Sequence, residues 1–486
     1  MTKTNNKYLY RVLSKGGIIS TSMFAEALKL AENEGNKYVL LGSRQDMLFY
    51  LTKNSLPKIE TTAIPIQSRN SGIQNVVSSF VCVDILPSTN WVYSGIFTKI
   101  ADQFTYKHRL RVNIVDPQQN MVPLFYGELN FIASEIPNFW HLYLNIEEMH
   151  QPEAWPGLIF TEDIALFAQT LEKLILEEGI RTTETLHQSV ATSDLQKNTL
   201  DKNPKLTLPK GSSPYYEGLV KMENKNKYWA GFYWRNNQYP IQFLKDVCEL
   251  CMKTNIAKIS FTPWKTFLIK DIETKDKIYW DDLIGRYGIN MRHSSFELNW
   301  HLPLLDKGAL KLKRFLVAEF DKFDIRTYGL SFAIQNKNKG NFTSVVIRKN
   351  GRLPFLGRFD FTASYSIDHA YDFNPNSNFY MQYERALSKQ DLPKALNELS
   401  KQYYNQQFVK KSMNITEEQK QAKNPGHNVY QCPLCQTVYD ERFGDILAEI
   451  AAGTAFDKLP ENYCCQVCES PKSTFKTVEI TETTSV

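Results

Sequence analysis

The sequence predicts an α+β protein built from two similar halves and a small cysteine-bearing unit near its C-terminal end. Three observations predict this fold class: a pattern that repeats at an offset of 220 residues, two polar segments between the parts, and two C-x2-C pairs near the end of the 486-residue chain. With 42% hydrophobic and 22% charged residues, the chain has the composition of a globular protein that is long enough for several domains.

The repeat combines a helix and a strand. Residues 16–51 contain a glycine turn, a helical apolar stripe and an alternating strand, and residues 242–269 show the same helix and strand pattern. The same offset places residues 108–115 opposite residues 328–335. Each half is therefore predicted to be an α/β unit, and the pair is predicted to form a duplicated, pseudo-two-fold body.

Two polar segments with few large apolar residues are predicted to be linkers. They divide the chain into a first half, a linker, a second half, a second linker, a metal-binding unit and a polar tail. The predicted boundaries are 1–181, 182–214, 215–411, 412–428, 429–475 and 476–486.

Three cysteines of the body are interpreted as core residues. Cys248 and Cys251 form a C-x2-C pair, which is also found in redox and metal sites. At the 220-residue offset they replace Leu28 and Ala31 on the apolar helix stripe, and cysteine behaves as a small hydrophobe in cores. Cys82 lies in an apolar strand pattern and is interpreted in the same way.

The C-terminal unit has the ligand spacing of a tetrahedral metal site. Cys432 and Cys435 form one C-x2-C pair, Cys465 and Cys468 form the other, and 29 residues separate the pairs. Four thiolates complete the shell of one ion, so Cys464 is predicted to lie outside it.

This unit resembles the rubredoxin family along its whole length. Besides the cysteines it has "VYD" after the first pair, "GTAFDKLP" and Tyr463 before the second, and "PKSTF" at its end. The resemblance implies one iron held by four cysteines, which passes single electrons. A structural zinc site with the same four ligands is the alternative. Gln436 and Glu469 occupy positions where the family has glycine at φ > 0, and the Glu469 carboxylate is expected to disfavour the more negative ferrous state.

The body resembles the siroheme-dependent nitrite and sulfite reductases. The resemblance lies in "GGIIS", "GSRQD" and "YKHRLRVNIVD" in the first half and in "ISFTPWKTFLI" in the second. It implies two ferredoxin-like half-domains. In this family the first half holds siroheme and the substrate anion through basic residues, and the second half holds a cubane iron–sulfur cluster through four cysteines.

By this resemblance, four arginines are predicted to line an anion or cofactor cleft: Arg11, Arg44, Arg109 and Arg111. All four charges are lost at the matching positions of the second half, where Gly231, Trp264, Gly329 and Ser331 stand. If Arg109 and Arg111 lie in a strand, they project to the same face. A solvated basic face is the alternative interpretation.

The body departs from the family in two ways. Gln74 stands near the position of a third anion-binding arginine. No cysteine occurs between Cys251 and Cys432, so the sequence predicts no cubane cluster, and siroheme lacks its usual bridge. Whether the body is an oxidoreductase or an electron-transfer component is therefore left open.

The favoured function is iron-dependent electron transfer in a reductive step such as nitrite or sulfite assimilation. The alternatives are a siroheme-binding reductase without the cluster, and a zinc-stabilised scaffold without redox activity. Neither an apolar leader nor a membrane span is visible in the sequence, so a cytoplasmic protein is expected. Nucleic acid is not expected as a partner because the basic residues are scattered and no binding motif is present.

The charge distribution suggests where a redox partner could bind. Residues 428–486 hold nine acidic and four basic side chains, a net charge of −5, and the whole chain carries +5, so the remainder carries +10. A flexible linker of 17 residues spans about 20–25 Å. The metal-binding unit is therefore expected either to serve a separate redox protein or to dock on its own basic body.

Overall fold

The computed structural model of the protein describes residues 7–52, 64–191, 195, 198–200, 204–209, 218–223, 225–289, 299–335, 341–350, 364–421, 427–445 and 447–480. The chain divides into two compact units, Met1–Ser400 and Lys401–Val486. The first unit holds both halves and is called the body here. None of its described helices, nor any in the second unit, has the length and apolar character of a membrane span.

The first half combines runs of short strands with four helices among its described residues. In chain order its elements are β1 Lys7–Val12, β2 Ile18–Ser20, α1 Thr21–Asn33, β3 Tyr38–Leu41, β4 Met47–Thr52, β5 Ile66–Ser68, β6 Val77–Ser78, α2 Ser94–Gln103, β7 Val112–Val115, β8 Leu129–Ala133, β9 Phe139–Leu144, β10 Glu153–Phe160, α3 Ile164–Leu176 and α4 Thr183–Ala191.

The second half follows the same plan. Its elements are β11 Gly218–Lys221, β12 Lys227–Phe232, β13 Tyr239–Pro240, α5 Ile241–Lys253, β14 Lys258–Phe261, β15 Phe267–Glu273, α6 Lys277–Arg286, β16 Trp300–His301, α7 Lys307–Lys322, β17 Phe332–Gln335, β18 Val345–Lys349, β19 Tyr365–Ala370 and β20 Tyr380–Leu387.

The predicted duplication is visible in both element positions and sheet topology. Helices α1 and α5, strands β3 and β14, and strands β7 and β17 are each offset by 220 residues. One sheet of the first half has the order β6-β7-β8-β9-β10, and one sheet of the second half has the order β16-β17-β18-β19-β20. In both sheets the first two pairings are parallel and the last two are antiparallel. The α+β fold class with a pseudo-two-fold body is thus confirmed.

The other two sheets of the body exchange an edge strand between the halves. Strand β2 of the first half pairs with β14 of the second, where Ile19 lies opposite Ile259. Strand β13 of the second half pairs with β3 of the first, where Tyr239 lies opposite Val39. One apolar core lies beside these sheets and takes residues from both halves, including Phe24 and Phe261, whose rings make an edge-to-face contact at 5.4 Å.

Part of the predicted first linker is folded onto the body. Helix α4 buries Leu186 and Val190, and the Thr182 hydroxyl accepts a hydrogen bond from the Thr185 N–H at its start. Leu200 pairs with Leu158 of β10 through two backbone hydrogen bonds of 2.9 and 3.2 Å. The prediction of a linker over 182–214 is wrong for these residues, because a few apolar residues at helical spacing are enough to dock a short helix.

Part of the predicted second linker is also helical. Helix α8 runs from Leu392 to Gln421 and so includes most of residues 412–428. The polar composition of this segment misled the prediction, since Met, Glu, Gln and Lys are good helix formers and no proline or glycine occurs before Pro425. The helical part rises about 1.5 Å per residue, so the 17-residue flexible-chain reach does not apply to it.

The second unit carries a small sheet beyond α8. Its strands are β21 His427–Gln431, β22 Val438–Tyr439 and β23 Lys476–Ile480, in the order β22-β21-β23. Four side chains form its buried apolar cluster: Tyr439, Phe456, Leu459 and Tyr463. Tyr430 stacks on Phe456 with ring centroids 3.9 Å apart, and Phe475 packs against the same cluster.

Two histidines of the body are expected to make its stability pH-dependent. Burial lowers the pKa of His108 to about 4, with help from the charge of Arg44, and burial lowers the pKa of His301 to about 3. The unfolded chain therefore binds more protons than the folded chain between about pH 6.5 and pH 4, and stability falls with falling pH by roughly 1.4 kcal/mol per pH unit for each histidine.

Urea unfolding followed by tryptophan fluorescence measures this effect in the body, since every tryptophan precedes residue 301. The raised pKa values of Asp46 and Asp116, both caused mainly by burial, act in the opposite direction. The comparison is therefore between the wild type and the variant His108→Leu/His301→Leu, which should lose less stability between pH 6.5 and pH 4.5. The exposed His150→Gln serves as the control, and equal slopes for all three proteins would contradict the assignment.

Candidate metal centre

The four predicted ligand cysteines lie on two loops with matching backbone geometry. In the first loop the Gln436 N–H donates to the Cys432 carbonyl at 2.9 Å, and the Cys432 N–H donates to the Thr437 carbonyl at 2.9 Å. In the second loop the Glu469 N–H donates to the Cys465 carbonyl, and the Cys465 N–H donates to the Ser470 carbonyl, both at 2.8 Å. Each loop is thus a tight turn that presents two thiols on the same side.

The four sulfur atoms converge on a single point. The Sγ atoms of Cys432, Cys435, Cys465 and Cys468 lie within 4.8 Å of one another. The Cys432–Cys468 and Cys435–Cys465 pairs are separated by 3.5 and 3.3 Å. A tetrahedral shell with metal–sulfur bonds of about 2.3 Å requires sulfur separations of about 3.8 Å, so the residues fit one ion. Cys464 is not part of this group among the described residues.

Backbone N–H groups favour the thiolate form of two of the four cysteines. The pKa of Cys432 is lowered to about 6, mainly because of a backbone hydrogen bond from Cys435, with a further one from Leu434. The pKa of Cys465 is also lowered, through hydrogen bonds from the backbones of Val467 and Cys468 that outweigh the effect of burial. Metal binding requires deprotonated thiols, and these N–H groups favour that form.

Two hydroxyl groups that the sequence analysis did not single out lie next to the sulfur atoms. Thr437 Oγ1 is 3.1 Å from the Cys435 Sγ, and Ser470 Oγ is 3.0 Å from the Cys468 Sγ. Each hydroxyl residue stands two positions after the second cysteine of its pair. Both can donate to a thiolate. Their matching positions after the two cysteine pairs are the feature by which the sequence could have identified them.

Removing these hydroxyls is expected to lower the reduction potential of a bound iron. A hydrogen bond to a thiolate stabilises the reduced centre more than the oxidised one, since the reduced centre is more negative. If each bond is worth about 1 kcal/mol, Thr437→Val and Ser470→Ala should each lower the potential by about 40 mV, and together by about 80 mV.

Protein-film voltammetry or spectroscopic redox titration measures the shift. Ser473→Ala is the matched control, because Ser473 is an exposed hydroxyl residue of the same domain. An unchanged potential in the Thr437→Val/Ser470→Ala variant would mean that neither hydroxyl donates to the thiolates.

Both loops hold a non-glycine residue in the left-handed region. Gln436 has φ 64° and Glu469 has φ 57°, as predicted from the glycine positions of the family. Such a conformation costs a non-glycine residue roughly 1 kcal/mol or more. The backbone of both loops is therefore strained at Gln436 and Glu469.

The three cysteines of the body are buried in its apolar cores. Cys248 and Cys251 lie on the buried face of α5, and Cys82 lies in the core of the first half. Burial raises the pKa of Cys82 and Cys248 to about 12 and raises that of Cys251 further. These thiols are protonated and unreactive at neutral pH, as the core interpretation predicts.

Arg44, one of the four predicted anion-binding arginines, is buried and used inside the body. Its guanidinium donates to the Asn113 Oδ1 at 2.7 Å, to the Asn75 carbonyl at 2.7 Å and to the Val112 carbonyl at 2.9 Å. Burial, together with the charge of Arg111, lowers the pKa of Arg44 to about 10. Only its Nε is without a hydrogen-bond partner in the described part of the chain.

Two further arginines form ion pairs within the body. Arg11 is buried, lies 3.7 Å from the Asp46 carboxylate and donates to the Arg69 carbonyl at 3.2 Å. Arg111 is half-buried and donates from Nε to the Glu128 carboxylate at 2.7 Å. These charges are largely compensated by protein partners.

Arg109 alone is exposed among the four. The expectation that Arg109 and Arg111 share one face of a strand is wrong, because β7 begins at Val112 and both residues precede it. The Glu172 carboxylate instead accepts hydrogen bonds from the Arg109 and Leu110 N–H groups at 2.7 and 2.8 Å. Three of the predicted arginines thus bind partners within the protein, and the fourth is exposed to solvent.

Four cysteines on two loops of matching geometry thus define a site for one metal ion. The Rubredoxin family profile matches residues 429–475. A probable rubredoxin, HupI of Bradyrhizobium diazoefficiens, is 49% identical over 49 residues, which cover 10% of this chain and 71% of that protein. Through this C-terminal domain the chain belongs to the rubredoxin family.

Longer relatives share the same domain. The high molecular weight rubredoxin of Moorella thermoacetica is 43% identical over 49 residues, which cover 10% of this chain and 21% of that protein. An anaerobic nitric oxide reductase flavorubredoxin of Salmonella paratyphi A is 38% identical over 45 residues, which cover 9% of each chain. This chain thus spans only a small part of either of these two relatives.

The body has a structural relative of its own. The structure of the Mycobacterium tuberculosis NirA protein matches with a TM-score of 0.62 over 80% of each chain, at 12% sequence identity. At this identity the likeness concerns the fold alone. It agrees with the fold that the resemblance to siroheme-dependent nitrite and sulfite reductases implies.

Proposed function

We propose that the protein is a one-electron carrier whose C-terminal domain binds a single iron and serves a reductive step of the nitrite or sulfite class. The convergence of four cysteine sulfurs within 4.8 Å in a rubredoxin domain carries this proposal. Iron bound by four thiolates supplies a one-electron couple, whereas zinc in the same shell has no redox chemistry.

The protein residues hold the shell fixed while its charge changes. Cys432 and Cys465 are buried, whereas Cys435 and Cys468 are half-buried and lie nearer to solvent. The loop hydrogen bonds described above fix both pairs, so little rearrangement accompanies a change in charge. Leu434 and Val467, which occupy the same place in the two loops, are 77% and 69% exposed. They offer an apolar contact surface beside the outer cysteines to a redox partner.

The reductive step is inferred from the body. Its fold likeness to NirA, together with the sequence resemblance to siroheme-dependent reductases, supports a role beside nitrite or sulfite reduction. Because no cysteine lies between Cys251 and Cys432, the body has no set of four cysteines for a cubane cluster. An electron carrier fused to such a body would supply the electrons that a cubane cluster stores in the family.

The electron acceptor is a separate redox protein or a group held by the body itself. Opposite net charges of the two parts favour an encounter in the second case, and salt screens it beyond about 8 Å at physiological ionic strength. The rate of electron delivery from the prereduced chain separates the two cases. Delivery within one chain is independent of protein concentration, and delivery between proteins increases with it.

The absorption spectrum of the purified protein tests the proposal. Ferric thiolate bands are expected, with one iron per chain. A colourless protein with one zinc per chain, purified from cells supplied with iron, would overturn electron transfer and leave the zinc scaffold.

A second candidate function, a siroheme-binding reductase without a cluster, is favoured by one observation. Arg11 and Arg44 each keep a buried Nε that has no hydrogen-bond partner among the described residues. A bound carboxylate or oxyanion could accept from these groups. Soret and long-wavelength heme bands in addition to the ferric thiolate bands would support this function. Their absence after reconstitution with siroheme would exclude it.

A further inference from the structure

A cavity of about 380 Å³ lies in the body, lined by residues of β3 and β4 in the first half and of α7 in the second. Its volume falls within the roughly 300–1,000 Å³ range of small-molecule sites. Apolar and aromatic side chains form most of its wall, including Tyr50, Trp264, Trp300, Leu302 and Leu310. None of the four arginines discussed above lines it, so it is not the anion or cofactor cleft that the family resemblance predicts.

Two of the lining residues are lysines with little exposure to solvent. Lys313 on α7 is 5% exposed, and its Nζ donates to the Tyr233 hydroxyl at 3.1 Å. Lys265, between β14 and β15, is half-buried, and its Nζ donates to the Leu302 carbonyl. An ammonium group has three N–H donors, so Lys265 has two that no described residue accepts.

The charge of Lys265 is not neutralised by a carboxylate among the described residues. Asp306, the one acidic residue that lines the cavity, instead accepts a hydrogen bond from the Ala309 N–H at 2.9 Å. Burial and the charge of Lys313 lower the pKa of Lys265 to about 8, which leaves it mostly protonated at pH 7. After burial, the charge of Lys265 contributes to the low pKa of His301. The cavity therefore carries an uncompensated positive charge.

This arrangement favours an anionic ligand. A buried ammonium group loses the solvation of water, and buried charges in proteins are therefore usually paired with an opposite charge. An anion bound to Lys265 would supply that charge and would reduce the repulsion between Lys265 and Lys313. Lys307, exposed at the start of α7, adds a third ammonium group to the lining.

We propose that this cavity binds a small organic anion, whose carboxylate or phosphate pairs with Lys265 beside Lys313 while a compact apolar group packs against the wall. A neutral ligand would leave the ammonium groups without a counter-charge, and a bare inorganic anion would leave the apolar wall without a partner. The proposal rests on the cavity and is independent of the function proposed for the metal domain.

Hexanoate is the probe for this class, since it joins a carboxylate to a short apolar chain. Calorimetric titration of the full-length protein at pH 7 is expected to show saturable binding of one equivalent. The neutral 1-hexanol and the cationic hexylammonium ion, which have the same chain, should bind at least about tenfold more weakly. Acetate, which keeps the charge but little of the chain, should bind at least about fivefold more weakly. Hexyl phosphate, titrated in parallel, distinguishes the two anionic groups by which of them binds more tightly.

Variants locate the probe. Lys265→Met should weaken hexanoate binding at least about tenfold, because it removes the charge that pairs with the carboxylate. Lys311→Met is the matched control, since Lys311 is exposed on α7 and does not line the cavity. Lys313→Met is the second charge variant in case Lys265→Met does not fold. Leu310→Trp should weaken binding by filling the cavity without changing its charge.

Urea unfolding separates a ligand contact from a purely structural role of Lys265. Hexanoate should raise the urea midpoint of the wild type and of Lys311→Met but not that of Lys265→Met, because only binding to the folded state stabilises it. No saturable binding of hexanoate to the wild type, or binding equal to that of 1-hexanol, would overturn the proposal. Unchanged hexanoate binding in both Lys265→Met and Lys313→Met would also overturn it. Ferric thiolate absorbance should be the same in all variants, so failure here is distinguishable from failure of the metal assignment.

Discussion

Serine at any one of Cys432, Cys435, Cys465 and Cys468 is expected to abolish stoichiometric metal binding, whereas Cys464→Ser leaves it intact. The four sulfurs share one shell, and losing one thiolate opens the site to water and lowers its affinity for the metal. Cys464 is adjacent in sequence to Cys465 but lies outside this group, which makes it the matched control. Metal content per chain and the ferric thiolate absorbance are the measurements.

Loss of metal in Cys464→Ser with retention in Cys465→Ser would show that the second loop is shifted by one residue.

Loss of the metal should also have a large effect on the folding of the C-terminal domain. The domain has a buried apolar cluster of only four residues, so the metal supplies much of its stability. Removing the metal with a chelator is therefore expected to unfold residues 429–475 while tryptophan fluorescence of the body stays unchanged.

Arg44→Met is expected to destabilise the body by about 3–5 kcal/mol. The substitution removes three hydrogen bonds, so two backbone carbonyls and one side-chain oxygen each lose a donor in a buried site. Urea unfolding followed by tryptophan fluorescence measures the loss. Arg109→Ala is the control because Arg109 is exposed, and it should change stability by no more than about 0.5 kcal/mol.

The comparison of Arg44→Met with Arg109→Ala also shows whether Arg44 serves the stability of the body or is available to bind a ligand. If Arg44→Met costs less than about 1 kcal/mol, its hydrogen bonds are not essential and the arginine is free to hold a cofactor carboxylate. The predicted size of the effect assumes that the protein partners are already in place before any ligand arrives. In that case a bound anion can accept a hydrogen bond only from the Nε of Arg44.

Local patterns were enough to predict much of the fold. Helices α1 and α5 follow from apolar residues at helical spacing, and the fixed offset between them predicted the duplication. The four cysteines whose sulfur atoms converge follow from spacing alone, and the strained backbone at Gln436 and Glu469 follows from the family glycines. In each case the residues that carry the signal are close together in sequence or match a known motif.

Long-range partners could not be predicted in this way. The use of Arg44 depends on Asn75 and Asn113, which lie 31 and 69 residues away and bear no visible relation to it in the sequence. The extent of α8 was missed because a polar composition is shared by linkers and by solvent-exposed helices.

The exchange of β2 and β13 between the halves predicts how each half would behave when it is produced as a separate chain. Each half, made alone, would lack the edge strand that the other supplies, and β3 or β14 would expose unpaired backbone groups that invite aggregation. Two copies of one half could satisfy these edges only by swapping strands with each other. The two halves expressed as separate chains should therefore fold by mutual complementation, with folding that depends on their concentrations, whereas in the natural chain the covalent connection makes the same step unimolecular.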